Sequence, residues 1–355
     1  MMLGTIQAIL MPNWTQLGFD IDGEAADDRS GWSVSLNSDG TIVAIGAYFN
    51  DGAGSNAGHV RVYEWNSGTS AWDQKGADID GEAASDQSGY SISLSSDGSI
   101  LAIGAYLNDG GGTNVGHVRV YEYSGSSWSQ IGADIDGGAG EDNSGASVSL
   151  SSDGTIVAIG GGDDGSGSYA GFVRLYEYSG SSWSQMGADI DGEATGDQSG
   201  WSVSLSSDGS IVAIGAVGND DAGSNAGHVR VYEYSGGSWS QKGADIDGEA
   251  AGDAFGIGVS LSSDGSDVAV GAYFNASTGT KAGHVRVYSF SSDVLQKIIA
   301  DNDYVNGAAI VHVSRLPNVP KTRLSQTIND NTGIDNISEI LSTRFDDTFY
   351  YTGDE

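Results

Sequence analysis

The chain has 355 residues, enough for one large repeat domain or two ordinary domains, and it contains 56 glycines, 3 prolines and no cysteine. Its formal net charge of −34 at pH 7 would repel nucleic acid and anionic membrane surfaces, which excludes polyanions as expected partners. The lack of cysteine excludes disulfides, thiolate zinc sites and cysteine nucleophiles. No stretch approaches the roughly 20 apolar residues that a membrane span needs, so no span is expected.

The first eleven residues are apolar, but they include no basic residue and no clear small-residue cleavage site. They therefore make a poor signal peptide. This segment does not identify an export route. We expect the protein to lie outside the cell or on a particle surface.

Beyond this segment, the chain is built on an internal repeat of about 56 residues. A Gly-His-Val-Arg-Val-Tyr segment starts at Gly58, Gly116, Gly227 and Gly283, and a variant with phenylalanine starts at Gly171. A Ser-Asp-Gly turn keeps the same spacing, with its aspartates at Asp39, Asp97, Asp153, Asp208 and Asp264. This regularity indicates five copies of one structural unit over residues 14–292.

Each copy is expected to form four strands, which in the second repeat are residues 91–94, 100–104, 117–123 and 128–133. Tight Ser/Gly/Asp turns follow strands one and three, and longer links follow strands two and four. A thin antiparallel unit cannot cover both of its faces alone, so copies stack side by side. The sequence therefore predicts an all-β fold, a five-bladed β-propeller of four-stranded antiparallel blades.

The two chain ends complete this prediction. Residues 14–19 begin with a tryptophan like the other fourth strands, so they are expected to join the last blade and close the ring. Residues 293–355 abandon the repeat and form a C-terminal extension, with a short helix expected over 337–344 and a role in docking or assembly. In the competing interpretation, runs around 309–313 and 349–351 form an irregular sixth blade.

The short motifs within the repeats resemble the FG-GAP repeats of integrin α-chain-like propellers. Phe255-Gly256 precedes a strand of the fifth repeat and Gly271-Ala272 ends the next, while the earlier repeats carry Ser-Gly at the first position. The resemblance implies a propeller and a calcium loop between strands one and two. Here that loop is cut to Asn37-Ser38-Asp39-Gly40, with one carboxylate, so these aspartates are interpreted as turn residues.

The long links should emerge on one face of the fold, because consecutive antiparallel strands alternate in direction. Links from strand four to strand one carry an Asp-x-Asp-Gly-Glu pattern, whose oxygens are candidate ligands for Ca²⁺. In the alternative interpretation these carboxylates cap turns and solvate an acidic rim. The candidate ligands are Asp20, Asp22, Glu24, Asp78, Asp80, Glu82, Asp189, Asp191, Glu193, Asp245, Asp247 and Glu249.

Aromatic and polar residues near the same face are candidates for ligand binding, by stacking on sugars or on the side chains of a protein partner. Packing between blades is the alternative for most of the aromatic positions. The third repeat has Ala146 and a shortened glycine-rich link, an irregularity that could open a pocket. The candidate set is Trp32, Tyr48, Asn50, Tyr90, Tyr106, Asn108, Asp163, Asp164, Trp201, Asn219, Asp220 and Tyr273.

The recurring histidines occupy one register in different repeats, so they cannot share one ion. With no nucleophile–base pair or phosphate loop apparent, an enzyme is not indicated. We expect a recognition or adhesion propeller that binds a protein or a glycan through its acidic loop-rich face, with Ca²⁺ as a candidate cofactor. The alternatives are a structural module of a surface or virion assembly, docked through residues 293–355, and a glycan-processing enzyme with a carboxylate pair beside the third repeat.

Overall fold

The computed structural model describes residues 14–162 and 168–291, together with the backbone of five short strands within 303–351. The chain forms two compact units, Met1–Gly154 with Tyr178–Trp183, and Thr155–Glu177 with Ser184–Glu355. All regular secondary structure in the described residues is β-strand, and the paired strands are antiparallel. The predicted all-β class with antiparallel sheets is therefore confirmed.

The first unit contains two sheets of the same topology, in which each strand pairs with its neighbour in the chain and a two-residue fifth strand pairs with the third. The first sheet comprises β1 (Ser33–Leu36), β2 (Ile42–Ala47), β3 (His59–Asn66), β4 (Ala71–Gln74) and β5 (Ile79–Asp80). The second comprises β6 (Ser91–Leu94), β7 (Ile100–Ala105), β8 (His117–Ser124), β9 (Ser127–Gln130) and β10 (Ile135–Asp136). Strand β11 (Ser147–Leu150) begins the third repeat.

The second unit continues the pattern. In the third repeat β12 pairs with β13, and β13 pairs with β15. The strands of that repeat are β12 (Ile156–Gly161), β13 (Phe172–Tyr178), β14 (Trp183–Gln185) and β15 (Ile190–Asp191). The fourth sheet comprises β16 (Ser199–Leu205), β17 (Ile211–Ala216), β18 (His228–Ser235), β19 (Ser238–Gln241) and β20 (Ile246–Asp247). The last repeat has β21 (Phe255–Leu261), β22 (Asp267–Ala272) and β23 (His284–Ser289).

Neighbouring repeats within a unit share an apolar interface. In the first unit Val60 and Val62 of β3 are buried in one cluster with Ile92 and Leu94 of β6. The period of two along each strand places these side chains on one face, and the face of the next sheet covers them. Burial of that face is what holds one thin sheet against the next.

Backbone hydrogen bonds also join neighbouring repeats. The link before β6 runs beside the link between β2 and β3, and the amides of Ser85, Gln87 and Ser88 donate to carbonyls of residues 55–57 at 2.8, 3.2 and 2.9 Å. A parallel bridge between Gly58 and Ser88 accompanies them. The preceding repeat thus supplies the hydrogen-bond acceptors for the backbone amides of the link from strand four to strand one.

Residues 14–20 contain no strand, although the sequence predicted that 14–19 would close the ring as the outer strand of the last blade. The side chain of Trp14 is 99% exposed, so it lacks the packing that would hold such a strand. Among the described residues the sheet of β21–β23 has three strands. The predicted closing strand is therefore not formed in this structure.

The tail contains β24 (Asp303–Val305), β25 (Ala308–His312), β26 (Leu324–Gln326), β27 (Ile337–Ile340) and β28 (Thr348–Tyr351). Strand β25 pairs with β24 and β28, and β26 pairs with β27. The prediction of a helix over 337–344 was wrong for residues 337–340, because they pair with β26 as the extended strand β27. Residues 341–344 lie outside the described residues. The runs of the sixth-blade alternative meet in β25 and β28, in a sheet with three described strands rather than four.

Candidate functional site

In the first, second, fourth and fifth repeats the two long links meet, as their directions predicted, and a buried aspartate–asparagine pair joins them. Asp86 accepts from the side-chain amide of Asn108 at 2.9 Å and from the backbone amide of Ala83 at 3.0 Å. The same pairing recurs between Asp28 and Asn50 at 3.0 Å. It also joins Asp197 to Asn219 at 3.3 Å and Asp253 to Asn275 at 2.8 Å.

These pairs change the interpretation of three candidate ligand-binding residues. Asn50 and Asn108 are each 5% exposed and Asn219 is 2% exposed, so their amides are committed inside the fold. A buried amide must find partners, and the aspartates supply them. The asparagines shape the links rather than presenting polar groups on the surface.

An aromatic cluster forms at the ends of the first two sheets, where four of the predicted ligand-binding residues come together. The ring centroids of Trp32 and Tyr48 are 4.9 Å apart, those of Trp32 and Tyr90 are 5.6 Å apart, and those of Tyr90 and Tyr106 are 4.2 Å apart. Phe49 extends the group, 4.2 Å from Tyr48. These five rings are called the aromatic cluster below.

The aromatic cluster has a buried base and an exposed rim. Tyr48 is 4% exposed, whereas Trp32 is 53% exposed. The guanidinium of Arg29 lies 4.3 Å from the Phe49 ring centroid and donates to the Tyr48 hydroxyl, which fixes the base of the group. Burial raises the pKa of Tyr90, and the neighbouring Tyr48 raises it further, so the phenol stays neutral.

The remaining candidate ligand residues lie apart from the aromatic cluster. Trp201 is 49% exposed and Tyr273 is 62% exposed in the second unit, where Tyr273 contacts Phe274 at 4.7 Å. The carboxylate of Asp220 accepts from the amide of Asn225 at 2.7 Å and so closes its own link. Asp163 and Asp164 lie outside the described residues.

Within the part of the chain that the structure describes, three groups of metal-ligating side chains form where the long links meet the start of the third strand of a sheet. In each group the candidate ligand atoms lie within 4.8 Å of one another. The groups are Glu24, His59 and Asp78; Glu82, His117 and Asp134; and Glu193, Asp221, His228 and Asp245.

Five of the predicted metal ligands thus fall into these groups: Glu24, Asp78, Glu82, Glu193 and Asp245. The groups also include Asp134, which belongs to the same link pattern but was not in the predicted ligand set. The sequence predicted that the histidines do not share one ion, but it missed that His59, His117 and His228 each lie with carboxylates of the neighbouring links. The strand register could have indicated this proximity, because His228 lies directly opposite Asp247 of the acidic link on the neighbouring strand.

Other predicted metal ligands serve the fold. Asp189 binds the Nε of Arg174 at 2.8 Å and the amide of Gln185 at 2.6 Å, and Asp20 accepts from Gln16 at 2.8 Å. Glu249 lies 3.4 Å from Arg286 and 3.8 Å from His284. An arginine of the third strand donates to the backbone carbonyl of the second aspartate in four of the acidic links. The pairs are Arg61 with Asp22, Arg119 with Asp80, Arg230 with Asp191, and Arg286 with Asp247.

The fourth-repeat group has the largest concentration of charge. His228 is 1% exposed, and burial, followed by the nearby charge of Arg230, lowers its pKa, which favours the neutral imidazole. Burial raises the pKa of the adjacent Asp247, and the charges of Asp245 and Asp221 raise it further. A dication would relieve this repulsion.

The Ser-Asp-Gly aspartates are turn residues, as predicted. Asp97 accepts from the amide of Ser99 at 2.9 Å and from the hydroxyls of Ser99 and Ser95 at 2.7 and 2.8 Å. These hydrogen bonds outweigh burial and lower the pKa of Asp97. Asp264 makes the same turn, and hydrogen bonds from Ser266 and Ser262 lower its pKa to about 2.

Comparison with known families identifies the repeat. Residues 21–63 and 189–232 match the FG-GAP repeat. Each matched segment begins in the acidic link, includes the next two long strands and ends within the third, β3 or β18. No curated protein sequence matches the chain significantly.

Three solved structures match this chain at low identity, each with a TM-score below 0.5. Hydrazine synthase of Kuenenia stuttgartiensis has 13% identity and a TM-score of 0.49, covering 79% of this chain and 67% of its own. The periplasmic gluconolactonase PpgL of Pseudomonas aeruginosa has 17% identity and a TM-score of 0.47, covering 74% and 68%. A Bacteroides uniformis protein has 13% identity and a TM-score of 0.46, covering 90% and 88%. Within the described residues no helix is long and apolar enough to cross a membrane.

Proposed function

We propose that this FG-GAP repeat chain is a non-enzymatic recognition or adhesion module that binds a neutral glycan through the aromatic cluster, outside the cell or on a particle surface. The observation that carries the proposal is the convergence of five rings, four of them on two consecutive repeats at matching positions, around the half-exposed Trp32. Aromatic faces stack on the apolar faces of sugar rings, and a rigid base reduces the entropy lost on binding.

The charge of the chain selects among glycans. A net charge of −34 disfavours sulfated and uronic-acid polymers, so the expected ligand is uncharged. A protein ligand is the alternative, because a cluster of tyrosine and tryptophan with an arginine at its base also suits a protein interface.

Calcium is not part of this proposal. Each described group of candidate metal ligands includes an imidazole nitrogen, whereas Ca²⁺ takes six to eight oxygen ligands. None of the five residues of the aromatic cluster belongs to a group of candidate metal ligands.

The scaffold proposed for this function is a five-bladed propeller. Val285 and Val287 of β23 are 68% and 69% exposed, and Val34 and Leu36 of β1 are 65% and 58% exposed, although the equivalent positions of the other repeats are buried or half-buried. Exposed apolar faces of this kind favour being covered. Small-angle X-ray scattering should give the profile of a closed ring of five sheets, and an elongated particle would contradict this part of the proposal.

Affinity gel electrophoresis tests the glycan proposal directly. We expect the chain to be retarded in gels containing a neutral polysaccharide from a panel of galactomannan, xyloglucan and mixed-linkage β-glucan, but not in gels containing carrageenan. Trp32→Ala should lose the retardation. Trp201→Ala, a matched change at the same register of the fourth repeat, should retain it. Failure of the whole panel, or equal loss in both variants, would reject the glycan ligand.

A further inference from the structure

At one position of its long link the fourth repeat has an aspartate where the first two repeats have glycine, and this aspartate adds a carboxylate to a ligand group. The link reads Asn50-Asp51-Gly52 in the first repeat and Asn108-Asp109-Gly110 in the second, but Asn219-Asp220-Asp221 in the fourth. Asp221 joins Glu193, His228 and Asp245, so this group has four candidate ligands and the other two described groups have three.

The second observation is the state of His228. Its side chain is 1% exposed, and within the described part of the chain neither ring nitrogen has a hydrogen-bond partner. Nδ1 lies 3.9 Å from Oε2 of Glu193. A buried imidazole without hydrogen bonds is costly, and a bound cation would satisfy the nitrogen that faces the carboxylates.

The carboxylates around His228 are held from outside the group. Arg230 contacts Oε1 of Glu193 at 3.4 Å, which leaves Oε2 directed to the imidazole. The amide of Gln241 donates to Oδ1 of Asp245 at 2.6 Å. Outer partners of this kind orient metal ligands and reduce the reorganisation that binding requires.

We propose that Glu193, Asp221, His228 and Asp245 form a binding site for a divalent transition-metal ion of the zinc class. One imidazole nitrogen and three carboxylate oxygens give four ligands, the number that Zn²⁺ prefers, whereas Ca²⁺ needs more oxygens. Asp221 and Glu193 are exposed and can move the short distance from their present separation to a coordination sphere. The site is independent of the glycan proposal.

The third repeat supplies a matched control residue. Phe172 occupies the register of His228, is fully buried, and lies under the guanidinium of Arg174 at 4.0 Å. Phenylalanine is therefore compatible with this position of the repeat, and His228→Phe removes the nitrogen while keeping the packing. Asp221→Gly restores the residue of the first two repeats at an exposed position.

Isothermal titration of the full chain with Zn²⁺ at neutral pH tests the site. We expect one binding event tighter than the rest, weakened at least tenfold by Asp221→Gly and lost in His228→Phe. Thermal midpoints without metal show that the variants fold, and addition of Zn²⁺ should raise the midpoint of the unmodified chain more than that of either variant. Equal zinc binding in all three chains, or a response to Ca²⁺ alone, would overturn the proposal.

Discussion

Gly104 and Gly145 are in backbone contact across two neighbouring repeats: a Cβ atom on Gly104 would overlap with the carbonyl oxygen of Gly145. Gly104 belongs to the Gly-Ala that ends β7, and Gly145 belongs to the Ser-Gly before β11. Gly46 and Gly89 repeat the contact one repeat earlier. The Gly-Ala motif of one repeat and the Ser-Gly motif of the next are therefore the two backbone segments that approach each other closely.

Gly104→Ala should destabilise the fold by about 2 to 3 kcal/mol, because the methyl group has no space unless the neighbouring strand moves. Gly258→Ala is the control, since a Cβ there meets nothing within 4 Å and the backbone is not left-handed. It should be neutral or stabilising by up to about 1 kcal/mol. Chemical denaturation measures both free energies of unfolding, and equal losses would contradict the close-approach explanation.

Asp86→Ala should cost about 2 to 3 kcal/mol of stability, because it leaves the buried amide of Asn108 and the backbone amide of Ala83 without acceptors. Glu122→Ala removes an exposed carboxylate from β8 and should change stability by less than about 0.5 kcal/mol. The same denaturation measurement compares them. A small effect of Asp86→Ala would mean that water replaces the aspartate.

Trp128→Phe should lose about 1 kcal/mol, because the indole Nε1 donates to the carbonyl of Lys75 at 2.7 Å and phenylalanine cannot. Trp14→Phe should change stability by less than about 0.5 kcal/mol, since Trp14 is almost fully exposed. Thermal or chemical unfolding distinguishes the two. A loss in Trp14→Phe as large as in Trp128→Phe would show that residues 14–19 do form the closing strand.

The aspartate turns predict an acid dependence of stability. The folded pKa of Asp264 is lowered to about 2, so its contribution is present above the unfolded pKa, about 4, and is lost as pH falls through about 2. Asp264→Asn removes the titration while keeping an acceptor for the turn. The difference in unfolding midpoint between the two chains should therefore shrink between about pH 4 and pH 2. A constant difference across that range would contradict the assigned cause.

The sequence predicted the features that depend on local pattern. The period of two and the spaced turns located β6, β7 and β8 within one or two residues, because alternation and turn chemistry act within a few residues of the chain. The turn role of Asp97 followed in the same way. The predicted strand 128–133 ends at Gln130 in the structure, and the short β10 that follows it was missed, because both strands pair with β8 and this pairing depends on tertiary contacts.

The candidate sites were predictable only in part. The aromatic residues Trp32, Tyr48, Tyr90 and Tyr106 could be selected by their positions, but their convergence depends on two repeats lying side by side. The carboxylates of the metal groups carried a visible pattern, whereas His228 looked like a repeat marker. Its burial without hydrogen bonds is a property of the folded chain that no spacing reveals.

The hydrogen bonds from residues 85–88 to the preceding link have a consequence for how the chain can be divided. A single repeat expressed alone would keep its sheet but leave these amides without acceptors and its valine face bare. Two consecutive repeats are thus the smallest fragment in which one such junction is intact. Residues 85–88 and 55–57 should therefore tolerate insertions less well than the tight turns, because an added residue would misalign the donors of one link with the carbonyls of its neighbour.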